Sequence, residues 1–247
     1  MKYHDFELQF EKRMAQGLKT AIMYTRAYSD VQDWMANEFD QEPTWRPSNN
    51  TLPHRLAWTA IYDLPFGKGR RWVAANPIQH LVGGWTVSGI YQFQSGPATG
   101  DWGNWFFYGD LSKIGDLFKH DEVHSKDVHV WFDPNIRVTS GTAAIPSGYN
   151  GFEGRTAFQP GSYHVRVFPI RLAALRADGI RNWDVKIMRN FKVTERLSTK
   201  FAVDLLNATN HTNFAGPNLD PTNTNFGTVN TQRGLSRIIQ FNLRIDF

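Results

Sequence analysis

A hydrophobic period of two dominates this chain, carried by segments of about ten residues and present again at the very end. The closing stretch, SRIIQFNLRIDF (236–247), sets Ile239, Phe241, Leu243, Ile245 and Phe247 on one side and Gln240, Asn242, Arg244 and Asp246 on the other. Successive side chains of an extended strand point to opposite faces. The segment therefore reads as a ribbon with one apolar face and one face able to carry full charges.

Six earlier segments repeat the pattern. Residues 4–12 oppose Phe6, Leu8 and Phe10 to Asp5, Glu7, Gln9 and Glu11. Residues 17–30 align Thr20, Ile22 and Tyr24. Residues 55–64 gather Leu56, Trp58, Ala60, Tyr62 and Leu64 against Arg55, Thr59 and Asp63. Residues 84–95 gather Trp85, Val87, Gly89, Tyr91 and Phe93 against Thr86, Ser88, Gln92 and Gln94. Residues 182–191 oppose Trp183, Val185 and Ile187 to Asp184 and Lys186, and residues 197–206 oppose Phe201, Val203 and Leu205 to Lys200 and Asp204.

The connections sort by length. With strands alternating up and down, the short or moderate ones (13–17, 65–83, 193–196) fall at one end and the long ones (30–51, 96–178, 207–234) at the other. Outer-membrane barrels have this asymmetry, with short turns inside and long loops outside. Ten residues also suffice for a tilted strand to cross the hydrocarbon layer. A lipid-facing side chain must be apolar, whereas a lumen-facing one meets water or other protein. That accounts for 41% hydrophobic and 14% aromatic residues in a chain whose mean hydropathy is −0.46. Trp58, Tyr62, Trp85, Tyr91, Phe93 and Trp183 are placed to form aromatic girdles.

A soluble β-sandwich, such as a carbohydrate-binding module, also alternates; the loop sorting favours the barrel. The expected fold is all-β, an antiparallel transmembrane β-barrel in the cell outer membrane with long extracellular loops. Seven strands would leave an open sheet, and single-chain bacterial barrels have even numbers, from eight upward. Residues 1–247 are therefore expected to be part of a larger wall. The lumen candidates are Arg55, Asp63, Lys186, Lys200, Asp204, Gln240, Asn242 and Arg244.

Other classes find little support. The net charge of +4 is dispersed, and the GKGRR cluster at 67–71 lacks phosphate-loop spacing, so no nucleic-acid partner is expected. There is no cysteine, hence no disulfide and no thiolate metal site. No apolar run is long enough for a transmembrane helix, and MKYHDFELQF does not read as a signal peptide. The hydrolase motifs G-x-S-x-G and H-E-x-x-H are missing, so neither an enzyme nor a cofactor is expected.

Several segments, in order, resemble a known family. LPHRLAWTAIYDLPFGKGRRW, VGGWTVSGIYQFQSGPATG and LRADGIRNWDVKIMRNFKVTERLSTKFAVDLLNATNHTNFAGPN are similar to the C-terminal barrel of Oar-like TonB-dependent receptors. HVWFDP (129–134) is similar to a piece of their long loop. The resemblance implies ligand binding at the outer loops and energy-dependent uptake through TonB. It also implies a plug and N-terminal domains, expected to be absent from residues 1–247. TonB would then act only through those parts. The implied partners are outer-membrane lipid, the rest of the barrel and plug, and a ligand the sequence does not name. Phe241, Leu243, Ile245 and Phe247 resemble the terminal signal by which the barrel-assembly machinery recognises its clients. An adhesion or assembly protein using the same barrel without uptake is the alternative.

Two loop clusters invite chemistry. His120, His124 and His129, among Asp121, Glu122 and Asp127, are donor types for zinc, copper or nickel, but their spacing matches no metal motif, and a solvated polar loop is the plainer account. Residues 110–120 beside them have the spacing of a short amphipathic helix. Trp102, Trp105 and Tyr108 crowd with Phe106 and Phe107, a set able to stack on sugar rings or a peptide, or simply to hold the loop down.

Overall fold

The structure is a computed structural model and describes residues 1–67, 72, 83–100, 102, 106–117, 129–137, 151–153, 171–192, 194 and 197–247. The alternating segments form β1 (Lys2–Ala15), β2 (Leu18–Gln32), β4 (His54–Asp63), β5 (Trp85–Gln94), β11 (Ile180–Lys192), β12 (Ser198–Leu206) and β16 (Ile238–Asp246). They pair antiparallel in the order β1-β2-β4-β5-β11-β12-β16, and the short β3 (Trp45–Pro47) adds to the end of β2. The sheet is not closed: β1 and β16 are its edges. This is the partial barrel wall that the alternation predicts.

The register unites the seven apolar faces into one. Ile22 lies opposite Phe10 and Trp58, Trp58 opposite Tyr91, and Tyr91 opposite Trp183. Ile187 lies opposite Val87 and Val203, and Val203 opposite Phe241. Residues directly opposite share a face, and a one-residue slip would reverse it. Trp183 meets Trp58 edge-on at 5.3 Å and Tyr91 at 5.5 Å. The edge strand remains bare, with Phe241 70% exposed, as befits a surface whose partner is lipid.

The compact hydrophobic core lies in the loops. The two long connections meet through β8 (His129–Val130) and β14 (Thr228–Val229), which pair antiparallel. Three further short ladders join β6 (Ala98–Gly100) to β10 (Arg171–Arg176), β7 (Phe106–Tyr108) to β9 (Gly151–Glu153), and β13 (Asn213–Phe214) to β15 (Gln232–Arg233). Trp102, Phe107, Trp131, Phe132, Ile136, Leu172, Leu175, Phe226 and Val229 are buried together, with Leu117 packed against them. Leu117 ends the short helix expected in 110–120, observed as a 3-10 turn at Leu111–Lys113 running into an α turn at Ile114–Leu117.

The loop 96–178 leaves and re-enters the wall through a crossing that only glycine permits. A Cβ on Gly96 would lie 1.6 Å from the carbonyl oxygen of Ala177, and one on Gly179 would lie 2.3 Å from that of Gln94. Both obstacles are backbone and cannot rotate away. Gly96→Ala is expected to cost at least about 1–3 kcal/mol, as overpacking does. Loss of hydrogen-exchange protection at Ala177, whose N–H donates to Pro97 at 3.0 Å, would report it.

Candidate functional site

All eight lumen candidates fall on the second face of the wall. Lys186 pairs with Asp204 at 3.1 Å, and Asn242 donates to the same carboxylate at 2.5 Å. Asp246 accepts from Lys200 at 3.0 Å and from Arg244 at 2.7 Å. Asp63 accepts from the Thr86 hydroxyl at 2.8 Å. Gln240 stands opposite Asp204, and Arg55 opposite Thr25 and Gln94. These half-exposed pairs add little stability individually; their effect is a wettable wall.

The polar face also contains a bay of about 440 Å³, lined by Ile61, Ile90, Leu206, Asp184, Lys186 and Asp204. Strict alternation hides it. Ile61 and Ile90 occupy lumen-facing positions, which the register brings beside the charged row across strands distant in sequence.

At the long-loop end the chain builds a cap. Phe132 and Phe226 meet edge-on at 5.1 Å. The Trp131 N–H donates to the carbonyl of Gly227 at 2.7 Å, and its indole donates to that of Arg176 at 2.6 Å. Gly227 has φ 77°, and a Cβ there would stand 2.8 Å from the carbonyl oxygen of Phe132. The third long loop is tied in by Arg171, which is buried and donates to the carbonyl of Pro47 at 3.1 Å.

Asn207 pins the last loop to the wall. It has φ 48°, a left-handed conformation that asparagine tolerates better than most residues. Its backbone N–H donates to Asp184 at 2.9 Å, and its side-chain amide donates to the carbonyls of His211 at 2.9 Å and Leu235 at 3.1 Å. Arg171 and Asn207 escape the sequence reading because nothing local marks a buried arginine or a left-handed asparagine. The scattered apolar residues of 131–136, 172–175 and 226–229 are the available signal, but they carry no period.

The predicted loop sites divide. Trp102 is buried in the cap core and its indole donates to the carbonyl of Leu219 at 2.8 Å. It packs the loop and is not presented to solvent. Tyr108 lies in β7 opposite Gly151, while Trp105 lies outside the described residues. His129 lies in β8 opposite Val229, while His120 and His124 lie outside the described residues. Among the described residues, no three of His, Cys, Asp or Glu gather as a metal-binding set. Phe241, Leu243 and Ile245 stand on the outward face of β16, with Phe247 beyond its end, and β16 pairs only with β12 among the described strands.

Loop electrostatics give a pH dependence. Asp33 accepts from the Arg46 guanidinium at 2.6 Å, and that hydrogen bond holds its carboxyl below the usual carboxylate range. A carboxyl whose pKa is depressed on folding stabilises above its unfolded pKa, and the contribution disappears as pH falls through the folded pKa. Proteolysis within 33–46 is expected to accelerate below the ordinary carboxylate range, and Asp33→Asn to show that faster cleavage already at neutral pH.

A one-sheet wall with an apolar outer face, a polar inner face, short turns at one end and folded loops at the other defines a section of an outer-membrane β-barrel. The chain belongs to the outer membrane beta barrel domain family, whose match covers residues 1–240. It is accordingly a protein of the outer membrane. No curated protein and no solved structure matches it.

Proposed function

We propose that the chain is the C-terminal wall and outer cap of a TonB-dependent receptor, contributing to ligand binding outside and energy-dependent uptake across the outer membrane. The observation that carries this reading is the cap. Its two long loops interlock around Phe132 and Phe226 and tie in a third, which is more structure than loops need merely to connect strands. A fixed extracellular surface is what selective binding requires. The order of segments shared with Oar-like receptors supports the same reading. Energy would reach this wall through the receptor's plug and N-terminal parts. The terminal residues Phe241, Leu243, Ile245 and Phe247 would direct assembly.

Growth on candidate nutrients tests the proposal, comparing cells that carry the intact receptor with cells whose copy bears Phe226→Ala, each with and without TonB. Uptake that needs both TonB and an intact cap supports it. Ligand or surface binding that persists unchanged without TonB, with no uptake, points instead to adhesion.

A further inference from the structure

We infer that a cavity beside the outer end of β2 is an oxyanion site, taking a carboxylate or phosphate group of the ligand. The strand register creates the space. β2 pairs with β4 as far as Arg26 and His54, and with β3 from Asp30 and Pro47 onward. Between these points residues 27–29 of β2 face the longer stretch 48–53, whose extra length must bow away from the sheet. The gap is fastened at both ends. The Ala27 N–H donates to the carbonyl of Pro53 at 3.0 Å, and the Ser48 N–H donates to that of Ser29 at 3.0 Å. β10 packs against β3 and contributes Ala173 and Arg176 to the lining of the cavity, whose volume is about 290 Å³.

Two polar groups that line this cavity lack what burial demands. Ser29 is buried, and its hydroxyl has no hydrogen-bond partner among the described residues. A buried hydroxyl left unbonded forfeits its hydration without compensation. Arg176 donates from Nη1 to the carbonyl of Gly96 at 3.2 Å and, among the described residues, pairs with no carboxylate. Burial pushes its pKa down, because the loss of water disfavours the charged form. Arg26 lines the same cavity, likewise with no carboxylate partner among the described residues. The lining carboxylate, Asp30, accepts instead from the Tyr28 hydroxyl.

Water in the cavity would satisfy the Ser29 hydroxyl but leave the Arg176 charge without a counter-charge. An oxyanion answers both needs. It accepts from the hydroxyl and from the guanidinium donors that Gly96 does not use, in charge-assisted hydrogen bonds. The Ser48 hydroxyl, which accepts from the Asn50 N–H at 3.3 Å, retains a proton to donate as well. A cation finds no such match, since arginine only donates. The cavity stands at the long-loop end, where Arg171 ties the third loop to the cap. It therefore deepens the proposed function by giving the ligand a chemical class, and rests on that reading for the ligand's uptake but not for anion binding itself.

The test refolds the full chain in detergent and follows the modification of each arginine by phenylglyoxal with peptide mass spectrometry, in sodium phosphate, acetate or chloride at equal ionic strength. Phosphate or acetate is expected to slow the modification of Arg176 relative to chloride, and the more effective of the two names the ligand's group. Arg233, exposed and remote from the cavity, should react alike in all three salts. Ser29→Ala should raise the anion concentration that gives half-protection by about tenfold, and Arg176→Gln should abolish anion protection of Arg26. Should Arg176→Gln not fold, the parent chain and Ser29→Ala decide. Equal modification of Arg176 in all three salts, equal protection of Arg233, or unchanged half-protection in Ser29→Ala (a cavity filled by water alone) would overturn the inference. None of these readouts involves TonB, so a failed anion site and a failed uptake function are told apart.

Discussion

Phe226→Ala is expected to open the cap while leaving the wall in place. Phe226 is wholly buried, and its ring meets Phe132 edge-on at 5.1 Å. Truncating a buried phenylalanine removes transfer energy and leaves a cavity, together about 3–5 kcal/mol. Here the loss falls where two connections, far apart in sequence, are joined by the two-residue ladder β8–β14. So short a ladder has little to hold it beyond that core. Hydrogen exchange should accelerate at Trp131 and Phe132, whose N–H groups both donate across the junction to the carbonyl of Gly227. The β11 and β12 amides should keep their protection. Unchanged exchange at the junction would show that the aromatic pair does not hold the cap, and simultaneous loss in β12 would show that cap and wall form one cooperative unit.

A second substitution pair separates the two faces of the wall at adjacent residues. Ala60 lies opposite Thr20 and Gly89 in the middle of the outward face, and Thr59 lies opposite Ala21 and Ile90 on the inward face. An arginine on the lipid side near the bilayer midplane costs about 2–4 kcal/mol. Ala60→Arg should show that cost in denaturant unfolding from phosphatidylcholine vesicles. Thr59→Arg should be nearly neutral, because the Thr59 group used by Thr20 is its backbone carbonyl, at 2.9 Å. Equal costs for the two variants would reverse or abolish the face assignment. The two sites are neighbours on one strand at the same depth, so the comparison isolates the medium each side chain meets.

The wall is largely legible in the sequence. Each alternating segment forms a strand, with ends displaced by a few residues, and β1 and β2 extend past their apolar stretches into polar sequence at the loop end. The helix expected at 110–120 exists in miniature. The cap is not legible in the same way. The aromatic cluster containing Trp102 and Phe107 is visible as a cluster, but its partners Trp131, Phe132 and Phe226 lie in other stretches with no repeat to flag them. Nor does any local pattern show that Gly96 and Gly179 sit where two backbones cross.

The strands, their two faces and the end at which the long loops gather are all written in the local order of residues. They follow from backbone geometry with a period of two and from the solvent on each side, both of which act residue by residue. The common register, the bay beside Ile61 and Ile90, and the closing of the loops around Phe226 arise only in three dimensions. Those depend on which distant strands and loops become neighbours, a choice made by packing and hydrogen bonding across long separations that no short window of sequence contains.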